Sequence, residues 1–310
     1  MSSLGGLARV EGRRREFDQH PLVAGRSTRF PGLLTRTQVN ELLDRHGLAP
    51  SRALGQNFVV DPNTVRRIAR LADVGNGDAV VEIGAGLGSL TLALAETGAQ
   101  VTAIEIDRHV LPALREVVED SGVRVVAGDA MTLPWSTVLS SHASWVLVAN
   151  LPYNVATPLV LDLLDHVPAI GRMLVMVQRE VAERFAASPG SAAYGIPSVK
   201  VAYWATAKVI GRVSAEVFLP RPRVESGLVS IRRRPEPASP ADPDRLFALV
   251  RAGFGQRRKM LRRSLTDLVS PDAFAQAGIR PEARAEELSV EDWGRLSDQP
   301  PPRSSPSPAN

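Results

Sequence analysis

Four apolar runs in this chain each end at a residue able to bind a ligand or take part in a reaction: Gly84, Glu105, Asp129 and Asn150. In an open parallel sheet ligands lie beyond the carboxyl ends of the strands, so residues at successive strand ends converge on one crevice. Gly84, Gly86 and Gly88 follow Val80-Val81-Glu82-Ile83 as Gly-x-Gly-x-Gly and precede a helix-forming stretch, Ser89 to Glu96, with Ser89 as its expected cap. Such a turn lets a ligand lie against bare backbone, because glycine has no side chain to hold it off. A dinucleotide fingerprint requires glycine at position 89, where this chain has serine, so the spacing favours an adenosine ligand other than NAD. Glu105, closing the next run, can accept from both hydroxyls of a ribose.

Asn150-Leu151-Pro152-Tyr153 points to a reaction. The exocyclic amine of adenine is a poor nucleophile because its lone pair is delocalised into the ring. A protein that alkylates it must accept the amine hydrogens on oxygen. The Asn150 side-chain carbonyl and a backbone carbonyl held out by Pro152 would do so, and Tyr153 would stack on a flipped base. A plain turn also favours Asn and Pro, and a plain loop also favours glycine. The coincidence of four strand ends is what favours a site.

The elements that must position these residues alternate from Asp78 onward, which argues for a parallel sheet covered on both faces. Strands are expected at residues 79–83, 101–106, 123–127, 145–149 and 173–177, with 207–213 and 228–231 as a closing hairpin, seven in all. Helices are expected at about 89–97 and 108–119, from Thr157-Pro158 to Leu164, and around Val181 to Phe185. Upstream, Thr35 to Gln38 offers a capping box and Asp61-Pro62 a second helix start, with Leu54-Gly55-Gln56-Asn57-Phe58-Val59 between them. After a proline-rich linker at 235–243, segments near 244–253, 258–268, 271–277 and 289–296 read as a small all-helical unit. Residues 1–33, with Arg13-Arg14-Arg15, and residues 298–310, rich in proline and serine, read as disordered.

Composition bounds the rest. The chain has 310 residues, 44% of them hydrophobic, and no cysteine, which rules out disulfides and thiolate metal sites. It holds no apolar run approaching 18 residues and no apolar core in its first 30, so neither a membrane span nor a secretory signal is expected, and the chain is read as cytoplasmic. Net charge is only +4, with lysine at positions 200, 208 and 259 alone and arginine elsewhere. From Arg251 to Arg263 there are six cations and no acid, with Phe254 and Met260 interleaved. That run is either a solvated helix face or, together with Arg221, Arg223 and Arg232 to Arg234, a surface that tracks phosphates.

On these motifs the chain resembles the ribosomal RNA adenine dimethyltransferases that use S-adenosylmethionine. The resemblance covers about Arg52 to Trp293. It rests on the segment 54–58, Val81-Glu82-Ile83-Gly84-Ala85-Gly86-Leu87-Gly88, Ile104-Glu105-Ile106-Asp107, Gly128-Asp129-Ala130, Asn150 to Asn154, Gln178-Arg179-Glu180-Val181 and Phe218 to Ser226. Residues 254–265 are similar to the branch that dimethylates two adjacent adenosines in the 3′-terminal hairpin loop of 16S rRNA, within the small ribosomal subunit. The arginine-rich first 30 residues and Val59, where leucine is common, depart from the pattern.

The resemblance implies a Rossmann-like class I methyltransferase of the α/β class, with a seven-stranded, mostly parallel doubly wound sheet at 34–236 and a helical RNA-binding domain at 237–297. It implies S-adenosyl-L-methionine contacts at Asn57, Val59, Gly84, Glu105, Asp129 and Asn150. Catalysis falls to Asn150, Leu151, Pro152 and Tyr153, with Phe218 as a second wall of the base pocket, although Phe218 equally fits plain core. RNA contacts fall to Arg221, Arg223, Arg257, Arg258, Lys259, Arg262 and Arg263. A sulfonium supplies its own driving force, so neither a metal nor a covalent intermediate is called for, and a monomer is expected. Three other readings use part of the same residues. An NAD-dependent oxidoreductase leaves Asn150 to Tyr153 and the basic run idle, a non-catalytic ribosome-assembly factor leaves Asn150 and Tyr153 idle, and a 23S rRNA resistance methylase shares the chemistry with a different RNA.

Overall fold

The computed structural model describes residues 32–300. Within them the chain runs α1 (Arg36–Arg45), β1 (Phe58–Val59), α2 (Pro62–Ala72), β2 (Ala79–Ile83), α3 (Ser89–Ala95), β3 (Gln100–Glu105) and α4 (Leu111–Val118). It continues through β4 (Arg124–Ala127), α5 (Trp135–Val138), β5 (Trp145–Asn150), α6 (Ala156–His166), β6 (Ile170–Gln178), α7 (Arg179–Phe185) and α8 (Ile196–Trp204). Then come β7 (Ala205–Val213), β8 (Phe218–Leu219), β9 (Ser226–Arg233), α9 (Pro243–Gly255), α10 (Leu261–Ser264), α11 (Pro271–Gln276) and α12 (Val290–Ser297).

Seven strands form one sheet in the order β4-β3-β2-β5-β6-β9-β7, parallel from β4 to β6, with β9 antiparallel to both of its neighbours. All five residues of β2 are buried, as expected of a strand covered on both faces. Val81 and Ile83 pack with Leu159, Val160 and Leu163 of α6, while Val80 packs on the other side with Ile68 of α2 and Leu94 of α3. The strand order reverses between β2 and β5, which opens the crevice where such sheets bind ligands.

The two expected helix starts are present. Thr35 and Gln38 form a capping box, and the Asp61 carboxylate accepts the Thr64 N–H at 2.9 Å. Ser89 is not a cap: Gly88, with φ of 88°, takes that place, and Ser89 is the first helical residue. The stretch between β7 and β9 is wider than a tight hairpin. It contains β8, which leaves the sheet and pairs with β1, Phe58 opposite Leu219 and Val59 opposite Phe218.

The expectations for residues 1–31 and 301–310 lie outside the described residues. Leu33, assigned to the disordered extension, is only 6% exposed and packs with Val65 and Ile68. A second core joins Leu246, Phe247, Val250, Phe274, Trp293 and Leu296 to Tyr194, Val199 and Tyr203, so residues on both sides of the proline-rich linker share it. The helix expected at 258–268 shortens to the four residues of α10, and α9 stops at Gly255. The cations from Arg257 to Lys259 therefore stand on a turn rather than a helix face.

Candidate active site

A cavity opens at the ends of β2, β3 and β5, lined by Leu54 to Val59, Glu82, Gly84 to Leu87, Ser89, Leu90, Glu105, Ile106 and Asn150 to Tyr153. The glycine turn floors it. Gly84 and Gly86 have φ of 74° and 57°, and a Cβ on Gly86 would meet the Phe58 ring at 3.0 Å, so this backbone is reserved for glycine both by its dihedrals and by its close neighbour.

Glu105 is 5% exposed. Its Oε2 accepts the Gly86 N–H at 2.7 Å and its Oε1 accepts the Asp107 N–H at 2.9 Å. Burial raises its pKa, those backbone N–H groups oppose the rise, and the Asp107 charge adds to it. The carboxylate is thus held by the loop it serves and lines the cavity. Deeper in the wall, Glu82 is 1% exposed and accepts the Thr91 hydroxyl at 2.5 Å. Burial pushes its pKa up to about 8, against the lowering effect of Thr91 and with a smaller push from Glu105.

Asn150 ends β5, and its Nδ2 donates to the Asn57 carbonyl at 3.0 Å. Leu151 is buried and donates its N–H to the Met176 carbonyl at 3.0 Å, which carries the ladder with β6 one residue further. The Pro152 carbonyl accepts from Val155 and Ala156 and so starts α6. Tyr153 shares a hydrogen bond of 2.8 Å with the hydroxyl of the fully buried Ser226, and burial raises the phenol's pKa, partly offset by that bond.

The family model for ribosomal RNA adenine dimethylase matches residues 49–299. The chain belongs to that family. Among its relatives is the ribosomal RNA small subunit methyltransferase A of Thermobifida fusca, 47% identical over 280 residues, covering 87% of this chain and 96% of that protein. The protein of the same name from Kineococcus radiotolerans is 47% identical over 282 residues, covering 88% and 93%. Among solved structures, a 23S rRNA methyltransferase matches with a TM-score of 0.60 at 26% identity, covering 78% of this chain and 98% of that one. A dimethyladenosine transferase from Plasmodium falciparum matches with a TM-score of 0.64 at 23% identity, covering 76% and 94%, and shares the fold. The sheet is therefore that of a Rossmann-like class I methyltransferase, as its order and parallel strands require.

In this member of the adenine dimethylase family, the cavity fits an adenosylmethionine. The Ser89 hydroxyl is buried in the wall without a hydrogen-bond partner among the described residues, and the Glu82 carboxyl lines the same wall, so both can serve a polar ligand. Ile106, at the mouth, is 48% exposed and apolar, a fit for the flat face of a base.

The remaining expected site residues fall elsewhere. Phe218 does not line the cavity. At 1% exposed it lies in the core with Val59 and Leu228, because the pairing of β8 with β1 carries it beneath the cavity wall. Asp129 also stands outside the lining; its Oδ1 accepts the Met131 N–H at 2.9 Å in the turn after β4. Arg257 is paired with Glu286 at 2.7 Å and donates to the Ala192 carbonyl, and Arg262 pairs with Glu282 at 3.3 Å. Arg221 faces Glu216 at 3.5 Å. Arg223, Arg258, Lys259 and Arg263 are exposed and make no ion pair among the described residues. Gln56, Glu82 and Ser226 were not singled out from the sequence for a role, and Ser89 was read only as a helix cap. Gln56, Glu82 and Ser226 lay within the quoted motifs, but only folding gives them their partners. Among the described residues no group of acids and histidines could hold a metal ion, and no helix is long and apolar enough to cross a membrane.

Proposed function

We propose that this chain uses S-adenosyl-L-methionine to dimethylate the N6 amines of two adjacent adenosines in the 3′-terminal hairpin loop of 16S rRNA, within the small ribosomal subunit and in the cytoplasm. The observation that carries the reading is the orientation of Asn150. Its amide nitrogen is committed to the Asn57 carbonyl, which leaves the side-chain oxygen as an acceptor at the mouth of a glycine-floored cavity. The similarity to small-subunit methyltransferases over nearly their whole length supports the choice of RNA.

The cofactor supplies an electrophilic methyl on a sulfonium. The protein supplies position and dryness. Glu105 holds a ribose by its two oxygens, and Gly84 admits the ligand to the backbone. Asn150 and the Leu151 carbonyl, the acceptor of the turn not used to start α6, take the two hydrogens of the amine. Held by these two acceptors, the amine would present its lone pair to the side of the cavity where the methyl group would lie, and the proton it gives up would pass to solvent. Tyr153, its hydroxyl occupied by Ser226, presents a fixed ring on which the flipped base stacks. The buried Leu87, Leu90 and Leu151 exclude water from the line of attack. Arg223, Arg258, Lys259 and Arg263 are free to meet phosphates, and RNA hairpin loops suit such a surface because their unstacked bases can be splayed out.

Transfer of labelled methyl from adenosylmethionine to undermethylated small subunits, compared with naked large-subunit RNA, tests this. Label on the large-subunit RNA alone would favour the second reading, for which the structural match to a 23S rRNA methyltransferase speaks.

A further inference from the structure

Residues 51–57 cross the cavity outside any regular strand or helix, and they are tied down on both sides. On the β5 side, Asn150 Nδ2 holds the Asn57 carbonyl at 3.0 Å and Asn154 Nδ2 holds the Ala53 carbonyl at 3.3 Å. Gly55, with φ of 64°, lies so close to this turn that a Cβ there would stand 2.9 Å from Asn154 Oδ1 and 3.1 Å from the Pro152 side chain. On the β3 side one side chain does the work. Gln56 Oε1 accepts the Ser51 N–H at 2.7 Å, which fixes the amide so that Nε2 faces Asp107 and donates to its Oδ2 at 2.8 Å. Asp107 accepts the His109 N–H on its other oxygen at 2.9 Å and gives its own N–H to Glu105 at 2.9 Å. A continuous chain of hydrogen bonds thus runs from the strap through Gln56 and Asp107 to the carboxylate expected to hold the cofactor.

We propose that Gln56 is a positioning residue whose bond to Asp107 latches the 51–57 strap over the cofactor. The proposal rests on the reading of the cavity as an adenosylmethionine site. The strap has one charge-assisted side-chain bond on this side, and irregular segments held by few bonds open locally before the rest of the fold. Cofactor therefore leaves when the latch opens. The chemistry at Asn150 proceeds unaltered once the cofactor is seated.

Three variants test the latch: Gln56→Glu, Asp107→Asn and the two together. In Gln56→Glu two carboxylates face each other. In Asp107→Asn two amide N–H₂ groups face each other, because the Ser51 and His109 N–H groups hold both amide oxygens away. The paired exchange restores a donor opposite an acceptor, with the direction reversed. Each single change should raise the rate at which labelled adenosylmethionine is released into an unlabelled chase by about tenfold, the cost of one charge-assisted bond. Each should raise the KM for adenosylmethionine while leaving the single-turnover methylation rate at saturating cofactor within about twofold, and the double variant should return the release rate to within about threefold of the parent. Release at the parent rate in both single variants overturns the latch, as does a double variant that releases as fast as the singles. A parent protein that retains no adenosylmethionine overturns the reading of the cavity and the latch with it.

Discussion

Asn150 Nδ2 lies 3.0 Å from the Asn57 carbonyl oxygen. A carbonyl only accepts, so the nitrogen must sit on that side and the side-chain oxygen on the other. The strap that covers the cavity thereby sets the direction in which the turn presents its acceptor.

Asn150→Ala removes that acceptor, and it matters most when the amine nitrogen pyramidalises, so the loss belongs in the methyl-transfer rate rather than in RNA affinity. A drop on the order of 10²-fold in the single-turnover rate is expected, the scale seen when one oriented polar group is taken from a transition state. Asn150→Asp should be no better, because a carboxylate oxygen would then face the Asn57 carbonyl.

For Glu105→Ala the expected loss is in cofactor affinity, about 1.5–3 kcal/mol for a charge-assisted contact. The Gly86 and Asp107 N–H groups lose their acceptor as well, so hydrogen exchange at these two amides should quicken. Unchanged affinity for adenosylmethionine would sink the assignment.

Glu82 gives a pH signature. Its folded pKa of about 8 exceeds the ordinary 4.5, so the folded chain binds the extra proton, and this group's contribution to stability is fully present below pH 4.5 and is lost as pH rises toward 8. Glu82→Gln should flatten that fall and, without cofactor, make the chain at least about 1 kcal/mol more stable than the parent at pH 8. A cationic ligand favours the carboxylate, so cofactor binding near pH 7 should release a proton in the parent and not in the variant. Calorimetry in two buffers of different ionisation enthalpy measures this directly.

The basic surface divides. Arg258→Ala, Lys259→Ala and Arg263→Ala should each lower the log–log salt slope of small-subunit binding by somewhat under 1. Arg257→Ala should leave the slope nearly unmoved and instead loosen the tie to Glu286 and Ala192, seen as a lower melting temperature. Equal slopes for all four would show that the ion pair does not withhold Arg257 from RNA.

The sheet and the core of the site were legible because they rest on local pattern. The buried run of β2, the abrupt glycines after it, the acid closing β3 and the Asn-Leu-Pro-Tyr turn after β5 are each written in adjacent residues. What was not legible depends on distant partners. A two-residue strand such as β1 has no periodicity, and its pairing with β8 is what sends Phe218 into the core. Arg257 looks free until folding brings Glu286 beside it. Asp129 matched its motif, but its position outside the cavity lining is set by the turn it caps.

The central claim is that the Asn150 turn methylates small-subunit adenosines. Its most direct test is mass spectrometry of the 3′-terminal 16S rRNA fragment after incubating undermethylated small subunits with adenosylmethionine and either the parent chain or Asn150→Ala. The account predicts two methyl groups on each of two adjacent adenosines with the parent and almost none with the variant in the same time. Full modification by Asn150→Ala, or methyl groups found on the large-subunit RNA alone, would contradict it.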